Sequence, residues 1–495
     1  MNVFGKGKRA FAALAQMLRK PKWRQGRWSV FVLCIVIAIS VLVNVGVEAL
    51  EREYGWRKDY SFNGYATTGA ETRAVADRLE KPVDIYLLYQ GGQADQGHLM
   101  ELLNRYAALS DLIRILPTDI AQNPGIFNRF QGDMDSAMEA DTVIVSCEET
   151  GRYKLLTYDD FITQGYNIET GAFQIEGIAY EKSLTEALIY VTEDNIPVVG
   201  VLQGHGELTM EEIVHLTAFL HSNNYDSREV SLLGGQSLEG IDLLLIASPQ
   251  RDLSGGELEA IDAFAKRGGS LLAMRDYTDP MALPNYFSLL RNYGVQPLAG
   301  IVVAGENDEG SYYGEQIYLL PYLCEMDMTL PLIAGKMDIL LMPGASAFET
   351  PAEPDKSLTV ATVLKSGPNA YVRDAADGYT GIEQQANDRV GEMSLALYAH
   401  RMHATGNVSR LFAVGNSTMF TDEYIYQRTF NEPFIMQVMG MLLPQKTVSL
   451  DIVASSAFHP GLRAGSQMAG IGLIVAMPLC VLVAAICILL PRRNR

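Results

Sequence analysis

Three short polar turns hold the side chains of this sequence best suited to moving protons. The first is Gly204-His205-Gly206-Glu207, where an imidazole and a carboxylate stand two residues apart. The second is Ser248-Pro249-Gln250-Arg251 and the third is Gly415-Asn416-Ser417, while Arg275-Asp276 closes another apolar run. A His, a Glu, an Arg, an Asp and hydroxyls on one rim would suit general acid–base chemistry, in which a positioned group takes or gives a proton in the transition state. The same residue types also suit plain architecture. Hydroxyls and carboxylates cap helices, and glycines let a chain reverse tightly.

Three other chemistries fit poorly. His205, Glu207, Glu211, Glu212 and His215 are dense but match neither H-E-x-x-H nor a Cys/His zinc spacing. A nucleophile elbow needs G-x-S-x-G at a sharp strand-to-helix turn, whereas Ser248 is followed by Pro249 and has no flanking glycines. No G-x-x-x-x-G-K-[ST] occurs, so the chain has no P-loop for ATP. We therefore expect no catalytic residue, no cofactor and no metal. Gly204, His205, Gly206, Glu207, Ser248, Arg251, Asp276, Asn416 and Ser417 are expected to line a ligand-facing or structural crevice. His205 should hydrogen-bond across it toward the Ser248 and Asn416 turns. Glu207 should lie against the positive end of the following helix.

The elements that carry these turns alternate strand with helix. Ile196 to Leu202 reads as an apolar strand, and Met210 to Ser222 as a helix with Thr209 as N-cap. "YDSREVSLL" and "GIDLLLIASP" are further strands, the latter apolar enough to be buried on both faces. Ser254 to Arg267 is a helix stopped by Gly268-Gly269, "SLLAMRD" is the next strand, and "RLFAVGNSTMFTDEY" repeats strand, turn and helix. Such alternation predicts a doubly wound parallel sheet over 191–445, and ligands bind at the carboxyl ends of the strands in such sheets. Within it, about 300–405 is expected to be a β-rich insertion. Upstream, "KPVDIYLLY", "QGHLMELLNRYAALSD", "LIRILPTDI" and a hairpin at Glu149-Thr150-Gly151 give a thioredoxin-like β-α-β-β-β order within 48–190, which ends in a connecting helix. The C-x-x-C that thiol exchange requires is absent.

Charge and hydropathy frame this body. The net charge is −19, yet Lys6, Lys8, Arg9, Arg19, Lys20, Lys22, Arg24 and Arg27 precede the first acid, Glu48, and Arg492, Arg493 and Arg495 end the chain. What lies between is far more acidic than the whole, which argues against a nucleic-acid partner. Trp28 to Val47 and Gln467 to Leu490 are uncharged runs of membrane-spanning length. With Lys/Arg on their outer flanks, both termini are expected to be cytoplasmic. The expected order is a basic segment 1–27, a span 28–47, the body, a stalk 446–466, a span 467–490 and a basic tail 491–495. The fold class so predicted is α/β, anchored in the plasma membrane by two terminal helices with the body extracytoplasmic, and the lipid bilayer is a partner. A cleavable signal peptide is the competing reading of the first run. Of five cysteines only Cys147 and Cys324 lie in the body, too few for a disulfide framework.

The segments "FQIEGIAYEKSLTEALIYVT", "VVGVLQGHGE", "DLLLIASPQRDLSGGELEAIDAFAKRGGSLLAMRD" and "RLFAVGNSTMFTDEYIYQRTFNEPFIMQVMGML", between the two apolar runs, form a familiar combination. The chain resembles the auxiliary, gliding-motility-type component of ABC-2 transporters, also called substrate-binding-like. That resemblance implies a separate ABC ATPase and an ABC-2 permease as partners. It also implies a domain like the class I glutamine-amidotransferase fold without its nucleophile. The function expected is a non-enzymatic extracytoplasmic accessory subunit of an export system. A membrane-anchored hydrolase or amidotransferase-like enzyme using His205 and Glu207 is the alternative, and a cell-envelope binding or sensing module is a third.

Overall fold

The computed structural model describes residues 68–90, 98–130, 142–167, 172–308, 310–351, 355–374, 381–422, 429–444, 452 and 455–456. All of them fall within one compact unit, Tyr65–His459. Its first sheet is built from β1 (Val83–Tyr89), β2 (Ile113–Asp119), β3 (Val143–Cys147) and β4 (Arg152–Leu156), in the order β2-β1-β3-β4. β1 and β2 are parallel, joined through α1 (His98–Leu109), and β3 and β4 form an antiparallel hairpin. Apolar residues of α1 (Leu102, Leu103, Tyr106) and of α2 (Tyr180–Thr192; Leu184, Leu188, Val191) pack on one face of this sheet. Cys147 is buried in that core, and it and Cys324 are free thiols.

The second sheet carries the polar turns. In chain order its main elements are β5 (Val198–Leu202), α3 (Val214–Ser222), β6 (Asp226–Val230), β7 (Leu243–Ala247), α4 (Gly255–Lys266), β8 (Ser270–Met274) and α5 (Pro284–Asn292). There follow β9 (Gln296–Pro297), β10 (Phe348–Glu349), β11 (Leu358–Lys365), β12 (Ser394–Met402), β13 (Val408–Val414) and α6 (Asn431–Leu442). The path runs β9-β10-β12-β13-β8-β7-β5-β6, with β11 beside β12. From β6 to β13 the neighbours are parallel; β12 and β11 extend the sheet antiparallel.

The period of two along a strand explains why helices cover both faces. Leu243, Leu245 and Ala247 of β7 point into a core shared with Leu216 and Leu220 of α3 and Phe434, Ile435 and Val438 of α6. Leu244 and Ile246 point the other way, against Ile261 and Phe264 of α4 and Tyr286, Leu289 and Leu290 of α5. β7 and β8 are buried at every position, so no polar residue could stand within them without an internal partner.

The two sheets are pinned together by a buried lysine. Lys154 on β4 donates from Nζ to the carbonyls of His221 (2.9 Å) and Ser222 (2.7 Å) and to Asn224 Oδ1, capping the C-terminus of α3. Burial pushes its amine down to about 8, against the opposing pull of Asp160, Glu186 and Asp226.

Several expectations are corrected. No helix among the described residues is long and apolar enough to cross a membrane. The runs 28–47 and 467–490 and their basic flanks lie outside the described residues. The two-anchor part of the fold class, the plasma-membrane localisation with its inside–outside placement, and the bilayer as a partner are withdrawn, and the fold class is mixed α/β with several sheets. The β-rich stretch is not one separate insertion, because β10, β11 and β12 belong to the large sheet. Within that stretch, Ile301–Val303, Tyr371–Arg373 and Arg389–Val390 form one small sheet, and Tyr318–Leu319 and Met342–Pro343 another. The helix expected from Met210 begins at Val214. Thr209 does cap a turn: its hydroxyl accepts from Glu212 N while Glu212 Oε2 accepts from Thr209 N, and this closed turn delays the helix.

Candidate functional site

The turns after β5, β7, β8 and β13 all leave the sheet at its carboxyl edge. Gly204 (φ 126°) and Gly206 (φ 77°) occupy left-handed backbone around His205. A Cβ on Gly204 would stand 2.8 Å from Leu233 Cδ1, and one on Gly206 would stand 3.1 Å from Gln250 Cβ, so the chain could not reverse here with larger residues. The reversal drives the His205 carbonyl toward the next turn, where it accepts from Gln250 N (2.9 Å) and Arg251 N (2.8 Å). Arg251 NH2 adds a bond to the Gly204 carbonyl at 3.1 Å. Gly204, His205, Gly206, Glu207 and Arg251 therefore form one cluster.

The side chain of His205 is buried between two acids. Nδ1 lies 3.0 Å from Glu207 Oε1 and Nε2 lies 3.1 Å from Glu257 Oε2. Glu207 does not reach forward to the next helix; its Oε2 turns back and accepts from His205 N at 2.6 Å. Glu257 is the third residue of α4 and closes a capping box with Ser254, accepting from Ser254 N at 2.8 Å. Burial works to raise its carboxyl, but the bonds from Ser254 and His205 outweigh this and hold it below the usual range. The ring of His205 thus bonds to neither the Ser248 nor the Asn416 turn, because both its nitrogens are already taken; His205 reaches the Ser248 turn only through its backbone carbonyl.

A second cluster joins Ser248, Asp276 and Ser417. Asp276 Oδ2 accepts from Ser248 Oγ (2.9 Å) and Ser417 Oγ (2.6 Å), and Oδ1 accepts from Ser417 N (2.7 Å). Ser248 has left-handed backbone (φ 55°), the strained geometry of a nucleophile elbow, without the glycines that advertise one. Its hydroxyl is nevertheless engaged by a carboxylate rather than by an imidazole. Asn416 points inward, donating to Pro343 O (2.6 Å) and accepting from Met419 N (2.7 Å).

Sequence reasoning missed two buried acids and underrated a buried cation. Glu257 could have been found as the last letter of Ser-x-x-Glu, although that motif does not foretell burial. Asp279 accepts from Gln250 Nε2 (2.7 Å) and Asp276 N (2.9 Å), and burial, aided by the charge of Asp276, raises it to about 6. Arg275 is 1% exposed and donates to Leu298 O (3.1 Å) and Met281 Sδ (2.8 Å), leaving Nε without a partner among the described residues. Among the described residues no cluster of His, Cys, Asp or Glu is arranged to hold a metal ion. A cavity of about 680 Å3, lined in part by Asp242, Arg267, Ser270 and Arg410, opens at the opposite, amino edge of the strands.

The family model of the auxiliary component of an ABC-type uncharacterized transport system matches residues 196–413, the stretch that carries β5 to nearly the end of β13, the whole His205 cluster, and Ser248 and Asp276 of the second cluster. Over that span, a little under half of its length, the chain is similar to the ABC-type transport auxiliary family. The matched stretch holds all but two of the crevice residues, Asn416 and Ser417 lying just beyond it. No curated protein matches the chain. Among solved structures it is similar to the mmIFT52 N-terminal domain at 16% identity and a TM-score of 0.38, covering 52% of this chain and 99% of that one. It is also similar to PurLQS from Thermotoga maritima at 11% identity and a TM-score of 0.24, covering 50% and 99%. Neither likeness is strong enough to support an argument.

Proposed function

We propose that this auxiliary component is a non-enzymatic subunit of an ABC-2 type export system, working with an ATPase and a permease carried on other chains. The observation that carries the reading is the separation of the rim into two clusters whose functional side chains bond within each cluster. His205 has no ring nitrogen left to take a proton from a substrate, and Ser248 has no imidazole to take its own. The sequence has no P-loop, so the energy of transport comes from a partner. What the module offers instead is a rigid rim on a fully buried sheet, suited to holding its shape against other subunits.

Purification of the full tagged chain from its native host is expected to bring down an ATPase with a Walker A motif and a six-span permease in fixed ratio. Recovery of the chain alone, with a hydrolytic turnover that His205→Ala abolishes at unchanged melting temperature, would overturn the reading in favour of an enzyme.

A further inference from the structure

The Glu207–His205–Glu257 array carries a consequence for protons. The three residues are 3%, 4% and 4% exposed in the order His205, Glu207, Glu257, so water does not mediate their contacts. An ionised carboxylate oxygen only accepts, and a neutral imidazole has one N–H and one bare nitrogen. Two ionised acids around a neutral ring would set a lone pair against a lone pair at one of two hydrogen-bond distances, at high cost in a dry site. Both bridges close only if the array holds a second proton. Glu257 Oε1 is buried without a partner among the described residues, so that oxygen has nothing to which it could donate a carboxyl proton. Glu207 Oε2 and Glu257 Oε2 already accept, from His205 N and Ser254 N.

Other charged or titratable groups surround the array without closing it. Arg251, from the turn after β7, spends NH2 on the Gly204 carbonyl. Asp252, in the same turn, accepts from Asn285 N and Tyr286 N at the start of α5. Tyr286 itself is kept neutral by burial and by the fields of Asp279 and Glu207. Arg275, Asp276 and Asp279 after β8 act on Tyr286, and Asp279 accepts from Asp276 N of the second cluster.

We propose that Glu207–His205–Glu257 is a proton-loaded latch: folding draws one proton into the array, and that proton clamps the turn after β5 to the first turn of α4. Losing it sets His205 against one of its acids and frees the rim at its centre. A folded state that binds one proton more than the unfolded chain loses stability as pH rises.

The test uses the full chain with 15N-labelled histidine; there are seven histidines, and His205 is identified by the signal lost in His205→Gln. At pH 7 both ring nitrogens of His205 are expected in the N–H class, in slow exchange with water. A bare ring nitrogen at pH 7 overturns the proposal. Thermal unfolding from pH 6 to 9 supplies a second measurement. The wild type is expected to lose melting temperature across this range more steeply than Glu257→Gln, whose amide can either accept from or donate to the ring and so needs no second proton. Equal slopes overturn the proposal, and if the variant does not fold the ring signals decide alone.

Discussion

The two clusters on the rim contain the parts of a catalytic triad, sorted differently. In one, a ring stands between two acids: Glu207, His205, Glu257. In the other, an acid stands between two hydroxyl residues: Ser248, Asp276, Ser417. The hydroxyl that a base would activate is given to an acid, and the base that would activate it is given to two others. The clusters also differ in balance. Asp276 receives three good donors and needs nothing more, whereas the His205 array joins two carboxylates to a ring that has too few protons when neutral. Composition alone would rate them equally. It is the pairing that decides what each can do.

By that difference, the ring should be the costliest single residue on the rim. His205→Ala leaves Glu207 and Glu257 buried with their main donor gone, and an uncompensated buried charge costs about 3–5 kcal/mol. The denaturant midpoint should fall accordingly with an unchanged slope. A loss below about 1 kcal/mol would mean that water reaches the array and that the two clusters are alike.

Asp276→Ala should come next, because it removes one acceptor from three donors. Orphaned buried donors cost about 1–3 kcal/mol each, but Ser417 and Ser248 hydroxyls can turn to other acceptors. We expect a total of about 2–3 kcal/mol, read by the same denaturant curve. If Asp276→Ala proves worse than His205→Ala, the acid-centred cluster is the keystone and the ranking is reversed.

Much of this arrangement was legible in the sequence where a physical rule links residue type to place. The run Leu243 to Ala247 reads as a strand buried on both faces because nothing in it wants water. Ser254 and Glu257 mark the start of α4 because their spacing closes a capping box, and Gly268 at φ 102° marks its end. The polar turns fall at the carboxyl edge because alternating strands and helices force a parallel sheet. The pairings were not legible. A capping-box glutamate usually faces solvent, and only the close approach of the His205 turn buries this one. Ser248 adopts left-handed backbone held by Asp276 and its neighbours, a constraint that comes from residues far along the chain. The β-rich stretch misled for a related reason: two-residue strands such as Phe348–Glu349 have no period to read, so their membership in the large sheet is decided by β12 beside them.

The smallest effect should come from Ser248→Gly, and its smallness is informative. Ser248 sits at φ 55°, where a side chain costs about 1 kcal/mol that glycine does not incur. Its hydroxyl returns one hydrogen bond to Asp276, worth about 1.5 kcal/mol to a charged acceptor that keeps two other donors from Ser417. The two terms nearly cancel, so the melting temperature should move by no more than a degree or two in either direction. Transport by the assembled system should be unchanged, since the hydroxyl attacks nothing. A strained hydroxyl kept for nucleophilic chemistry behaves in the opposite way: its removal relaxes the backbone, raises stability and ends the activity. A Ser248→Gly variant that is more stable and inactive would show that the acid-centred cluster is a catalytic site after all.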